Sequence, residues 1–137
     1  MIRPIVRDVV FLSKKSAPAT KADLPVCRDL IDTLKAHEKE CVGMAANMIG
    51  VSKRIIIVHT PLAPIVMLNP VTVSHSKESY EAEEGCLSLT GQRRTKRWES
   101  ITVQYEDMSF VKRTGTYSGF TAQIIQHEMD HLNGIII

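Results

Sequence analysis

The distribution of apolar residues predicts an α+β fold, one compact domain covering residues 1–137, with mixed or antiparallel strands around a late helix. Three observations carry this. Val26, Leu30, Ile31 and Leu34 recur at helical spacing within residues 24–39. Short β-branched runs fill the middle of the chain. A helical pattern returns from Phe120 to Leu132. A chain of 137 residues with 44% apolar content can bury one core and suits one domain.

Taken in order, residues 1–21 hold Pro4 and Pro18 and read as an extended arm. The helix over 24–39 has Pro25 in its first turn, where a missing N–H costs nothing. Cys27 and His37 fall on it, as a packed thiol and a capping or exposed ring. "CVGMAANMIGVSKR" follows, small and apolar, with two glycines. "RIIIVHT" (54–60) is a strand, and "PIVMLNP" (64–70) a second strand closed by Asn69-Pro70. "VTVSHSKESYEAE" (71–83) alternates as a polar strand pair. "SITVQYED" (100–107) and "FVKRTGTYSG" (110–119) read as neighbouring strands with a turn at Asp107 to Ser109. Asn133-Gly134 ends the late helix as a C-terminal stop, and residues 135–137 begin another extended piece.

Lys plus Arg is 17 against 15 for Asp plus Glu, a net charge of +2, which does not argue for DNA. The basic cluster "GQRRTKRW" (91–98) reads as a solvated strand or turn. No run approaches the roughly 20 apolar residues of a membrane span. Arg3, Arg7 and Asp8 interrupt the apolar start, so no signal peptide is expected. Cys27, Cys41 and Cys86 are odd in number and irregularly spaced, which predicts free thiols and a reducing cytoplasm.

The chemistry concentrates in "QHEMDHLNG" (126–134). On a helix, His127 and His131 lie one turn apart on one face and can share an ion. Glu128 is turned about 100° from His127, beside the ion rather than on it, the position of a general base. A third ligand must come from upstream, because none of the six residues Leu132 to Ile137 is a usual one. His59, His75 and several carboxylates are possible. Cys86, in "EAEEGCLSL", is the better candidate, since Gly85 permits close backbone approach and acidic neighbours can orient ligands. A thiolate with two imidazoles leaves a fourth position open, as in a catalytic centre.

"EEGCLS" (83–88), "QHEMDHLNG" and "VGMAANMIG" (42–50), with the intervening "RIIIV" and "MLNP", together resemble the peptide deformylase family over essentially the whole chain. The resemblance implies a compact α+β fold and a hydrolase that removes formyl from the N-terminal formyl-methionine of new polypeptides. It implies one divalent metal, usually Fe2+ in bacteria and replaceable by Zn2+, Ni2+ or Co2+, held by Cys86, His127 and His131, with Glu128 carrying protons. The Leu87 backbone N–H would donate to the formyl oxygen. Gly43 would let the peptide substrate lie against an extended edge. Val42, Ala82, Phe120, Gln123 and Ile124 would line a pocket for methionine, although Phe120, Gln123 and Ile124 also suit ordinary core packing. Glu84 and Arg93 match positions that support either the ligands or the surrounding fold.

Three departures stand out. Met48 occupies the place of the family's usual glutamine, whose amide donates to the developing oxyanion; a thioether has no donor. Losing one such donor costs roughly 2.7–4 kcal/mol, or about 10²–10³ in rate. Asn47, one residue earlier, points elsewhere in either a helix or a strand. Gln123 puts an amide where an apolar wall is expected. Almost nothing follows Gly134, where the family usually continues into a C-terminal helix implicated in transient ribosome contact. Two other readings compete with a working deformylase: a weak or inactive metal-bearing relative that binds N-terminal peptides, and a general zinc peptidase lacking its usual downstream ligand.

Overall fold

The computed structural model describes residues 1–137. Its centre is β2 (Ile55–Val58), four β-branched residues buried on both faces. Alternation sends Ile55 and Ile57 to one side and Ile56 and Val58 to the other. This requires a layer above and a layer below. Helix α2 (Leu24–Ala36) covers one face, where Leu30 and Leu34 meet Ile55, Ile57 and Leu68. Helix α3 (Gly119–Leu132) covers the other, where Ala122, Ile125 and Leu132 meet Ile56, Val58, Met67 and Val103.

Five strands form the central antiparallel sheet in the order β1-β2-β3-β6-β7, with β1 Gly43–Ala45, β3 Ile65–His75, β6 Ser100–Glu106 and β7 Lys112–Ser118. A separate antiparallel hairpin joins β4 (Ser79–Cys86) to β5 (Leu89–Trp98). Gln126 of α3 docks this hairpin: its amide accepts from the Trp98 N–H (2.8 Å) and donates to the Trp98 carbonyl (2.9 Å). The α+β class, with antiparallel strands around a late helix, is therefore the fold observed.

The structure changes several boundaries. The early helix stops at Ala36, with His37 as its C-cap. Cys27 on that helix is fully buried in the core. The arm is not wholly extended: Asp8 caps a single turn, α1 (Val9–Leu12), by accepting from the Val10 N–H, and Leu12 is buried beneath it. Asn69-Pro70 does not close the second strand. Strand β3 runs through it to His75, because a register shift against β6 absorbs the left-handed Asn69 (φ 51°). Residues 71–83 hold two strand segments that do not pair with each other: 71–75 belong to β3 and 79–83 to the hairpin. The late helix ends as expected, with Asn133 as C-cap and Gly134 at φ 74°.

Asn69 has a second function. Its side chain accepts from the Ala19 N–H (2.8 Å) and donates to the Ala19 carbonyl (3.1 Å) and to Glu106 (3.0 Å), clamping the arm to two strands. Asn69→Ala should destabilise the protein by about 2 kcal/mol, since it strands these backbone groups and puts alanine at positive φ. Urea unfolding measures this; a change within error would show that the clamp carries no stability.

Candidate metal centre and active site

Helix α3 and the end of β4 meet at one point. The ligand atoms of Cys86, His127 and His131 all lie within 4.8 Å of one another. The His127 and His131 Nε2 atoms face each other at 3.0 Å. Two imidazole lone pairs at that distance repel unless a proton or a cation lies between them. Burial opposes charge on both rings, yet hydrogen bonds that His127 donates to Cys86 and Glu84 push it up to about 10. Burial and the adjacent positive His127 drive His131 down to about 3. A thiol and two imidazoles around one point form a donor set that suits a divalent ion. A register shift between Glu84 and Cys86 at the hairpin tip turns Cys86 towards α3.

Behind the ligands lies a buried ionic network. Glu84 is 7% exposed and Arg97 3%. His127 Nδ1–H donates to Glu84 Oε1 (2.8 Å), which fixes the ring so that Nε2 faces the cluster. Arg97 grips the same carboxylate through Nη2 (2.6 Å) and Nε (2.9 Å), and its Nη1 reaches Asp130 (2.7 Å). Burial alone would raise the Glu84 pKa, but the bonds from His127 and Arg97 outweigh it and hold the carboxyl at about 2.

Glu128 also has a perturbed proton affinity. It is buried, lines the cavity beside the cluster, and its Oε1 has no hydrogen-bond partner. Burial pushes its carboxyl up to about 7, so near neutral pH it can both take up and release a proton. The cavity measures about 550 Å³.

A family model described as polypeptide deformylase matches residues 2–137. The chain belongs to the polypeptide deformylase family. Peptide deformylases are metal-dependent enzymes that remove N-formyl groups, and this chain is one of them by sequence and by fold. A peptide deformylase from Clostridium beijerinckii is 56% identical over 137 residues, all of both chains. One from Desulforudis audaxviator is 37% identical over 135 residues, 97% of this chain and 84% of that one. The solved class I type b peptide deformylase of Acinetobacter baumannii with Met-Ala-Ser bound superposes at TM-score 0.89 with 31% identity, covering 99% of this chain and 97% of that one.

Within this deformylase chain, most of the residues singled out from sequence converge. Val42, Gly43, Cys86, Leu87, Gln123 and Ile124 line the cavity. Phe120 lines it too, but at the rim, 62% exposed. Met48 lines it with its side chain almost fully buried; its Sδ lies 3.9 Å from Cys86 Sγ and accepts from the Ala45 N–H (3.4 Å). Asn47 does not take over from it: its amide donates to the His131 carbonyl (3.0 Å). His59 and His75 are outside the ligand cluster.

Two expectations need correction. Ala82 does not line the cavity. It pairs with Thr95 along the hairpin, further from the tip than Glu84. Arg93 does not support the ligands. It is opposite Glu84 in register, but its guanidinium donates to the Thr90 carbonyl (3.3 Å). Arg97 takes the carboxylate instead, because at the other end of β5 it also meets Asp130 of α3. The "GQRRTKRW" segment is thus a solvated strand with one buried cation. Arg97, Asp130 and Tyr80 were missed from sequence. The only available signal was Asp130, an acid within the metal-binding helix that needed a cation.

Gly43 leaves no room for a side chain. A Cβ there would meet Ile124 Cγ2 at 2.7 Å, with Glu128 Oε2 and the Ile57 carbonyl at 3.1 Å. Gly43→Ala should therefore push Ile124 or Glu128 aside and lower turnover more than it lowers the melting temperature. Arg97→Met should cost about 3–5 kcal/mol in urea unfolding, by leaving the buried Glu84 carboxylate without its guanidinium, whereas Arg93→Met should stay within about 0.5 kcal/mol. Because the Glu84 pKa is depressed on folding, its contribution is complete above its ordinary value of 4.5 and is lost as pH falls towards about 2. Glu84→Gln, less stable at pH 7, should lose less than the parent protein over that acid window.

Proposed function

We propose that the chain hydrolyses the formamide of N-formylmethionyl peptides at one divalent ion held by Cys86, His127 and His131. The observation that carries this reading is the cluster of one thiol and two imidazoles beside a buried carboxylate of raised proton affinity. Bound there, the ion would polarise the formyl carbonyl and make water a nucleophile near neutral pH. Glu128 accepts the proton at its unpartnered Oε1 and passes it to the departing amine. The Leu87 N–H, in the turn after the thiolate, donates to the formyl oxygen as charge builds on it. The substrate backbone lies against the β1 edge at Gly43, in the manner of an added strand. Its first side chain enters the cavity near Ile124 and Gln123.

Fe2+ is the proposed ion, with Zn2+, Ni2+ or Co2+ as replacements, because thiolate and imidazole accept all four and availability decides. Three free thiols support work in a reducing cytoplasm. Met48 supports a lowered rate: its sulfur, which has no proton to donate, lines the cavity 3.9 Å from Cys86 Sγ, and the Asn47 amide is engaged with His131.

Anaerobically purified protein should contain about one iron per chain and release formate from formyl-Met-Ala-Ser. No formate from iron-loaded protein would overturn the reading. Glu128→Gln should keep the metal yet lose about 10²–10⁴ in kcat. Met48→Gln should raise kcat, by up to about 10². An unchanged kcat would remove the part assigned to the missing donor.

A further inference from the structure

Gln123 is unexpected at this wall of the cavity, because an amide there needs partners. It has two. Its Nε2 donates to Glu84 Oε2 (2.9 Å), and its Oε1 accepts from the Tyr80 hydroxyl (3.0 Å). A flipped amide would put two oxygens against each other at Glu84, so the carboxylate fixes which end faces it. Tyr80 then has an acceptor waiting. Gln123 also lies four residues before His127, one turn away on the same face of α3. One helix therefore touches Glu84 twice, once through the His127 imidazole on Oε1 and once through the Gln123 amide on Oε2. Arg97 holds the carboxylate through Nε and Nη2 and ties the hairpin to α3 through Asp130, but that tie bypasses the imidazole, whereas Gln123 braces the carboxylate that His127 itself uses.

We propose that Gln123, locked by Tyr80, is a positioning residue for the metal ligand His127 and acts through Glu84. This rests on the reading of Cys86, His127 and His131 as the ligands. The polar wall in the cavity is then a consequence of bracing the ligand set. An aliphatic residue at position 123 would line the cavity equally well and leave Glu84 Oε2 with Arg97 alone. Tyr80 does not line the cavity, and the hydrogen bond its hydroxyl makes is to Gln123.

The test uses the full chain loaded with Co2+, whose visible absorption reports ligand geometry, titrated against a competing chelator. Losing an outer partner of a ligating histidine costs about 10–100-fold in metal affinity. Because Arg97 shares the carboxylate, Gln123→Met should sit at the low end, about tenfold, with a shifted cobalt band. Tyr80→Phe, a conservative change away from the cavity, should weaken Co2+ by about two- to threefold. The double variant should match Gln123→Met alone, since the hydroxyl has nothing left to hold. Unaltered Co2+ affinity in Gln123→Met overturns the proposal, even with a lower melting temperature. So do independent, multiplying effects of the two substitutions. An unaltered protein that binds no Co2+ overturns the ligand reading itself, a result distinguishable from both.

Discussion

The Glu84 carboxylate is the constraint on which the site depends. Its two oxygens receive N–H donors from His127, Arg97 and Gln123, in a place almost closed to water. A carboxylate buried alone would be prohibitively unstable, and a guanidinium likewise. Together with Asp130 they form a network in which every member is satisfied, and that network joins the hairpin to the metal-binding helix. Such a network need not add net stability over an apolar core. Its effect is directional: it fixes where Cys86 and His127 meet.

The rest of the fold delivers these two elements to the same point. The double-sided burial of Ile55 to Val58 sets a three-layer stack, and α3 must lie across the sheet to complete it. Gln126 pins Trp98 of the hairpin to that helix, and the Asn47 amide ties the turn after β1 to the carbonyl of His131. The helix is thus held by backbone-directed bonds from two sides, while its inward face carries the chemistry. Met48 sits between these systems, its sulfur used once by the Ala45 N–H and once near Cys86.

What could be read beforehand follows from how local each signal is. His127, Glu128 and His131 are fixed relative to one another by helix geometry alone, so their relation was legible. Cys86 was legible through its flanking residues, and β2 through the β-branched run at Ile55. Arg97 was not. Four basic residues lie within "RRTKR", and which of them turns inward depends on Asp130, distant in sequence and reached only once the hairpin packs on α3. Simple cross-strand register favours Arg93, and register is all that a sequence can suggest. The continuation of β3 through Asn69-Pro70 was hidden for a similar reason. Breaker residues mark a turn unless a neighbouring strand shifts to accept them, and that neighbour, β6, is far along the chain.

The two ends of the sheet are treated differently. Strand β7 forms one end and carries Lys112 and Arg113, both exposed, which discourage another chain from joining it. Strand β1 forms the other and is only three residues long, small and uncharged. Only the Gly43 end of that margin borders the cavity, since Met44 and Ala45 are fully buried, and three residues offer too little ladder for copies of the protein to stack upon. Brevity and burial there substitute for charge as protection against self-association.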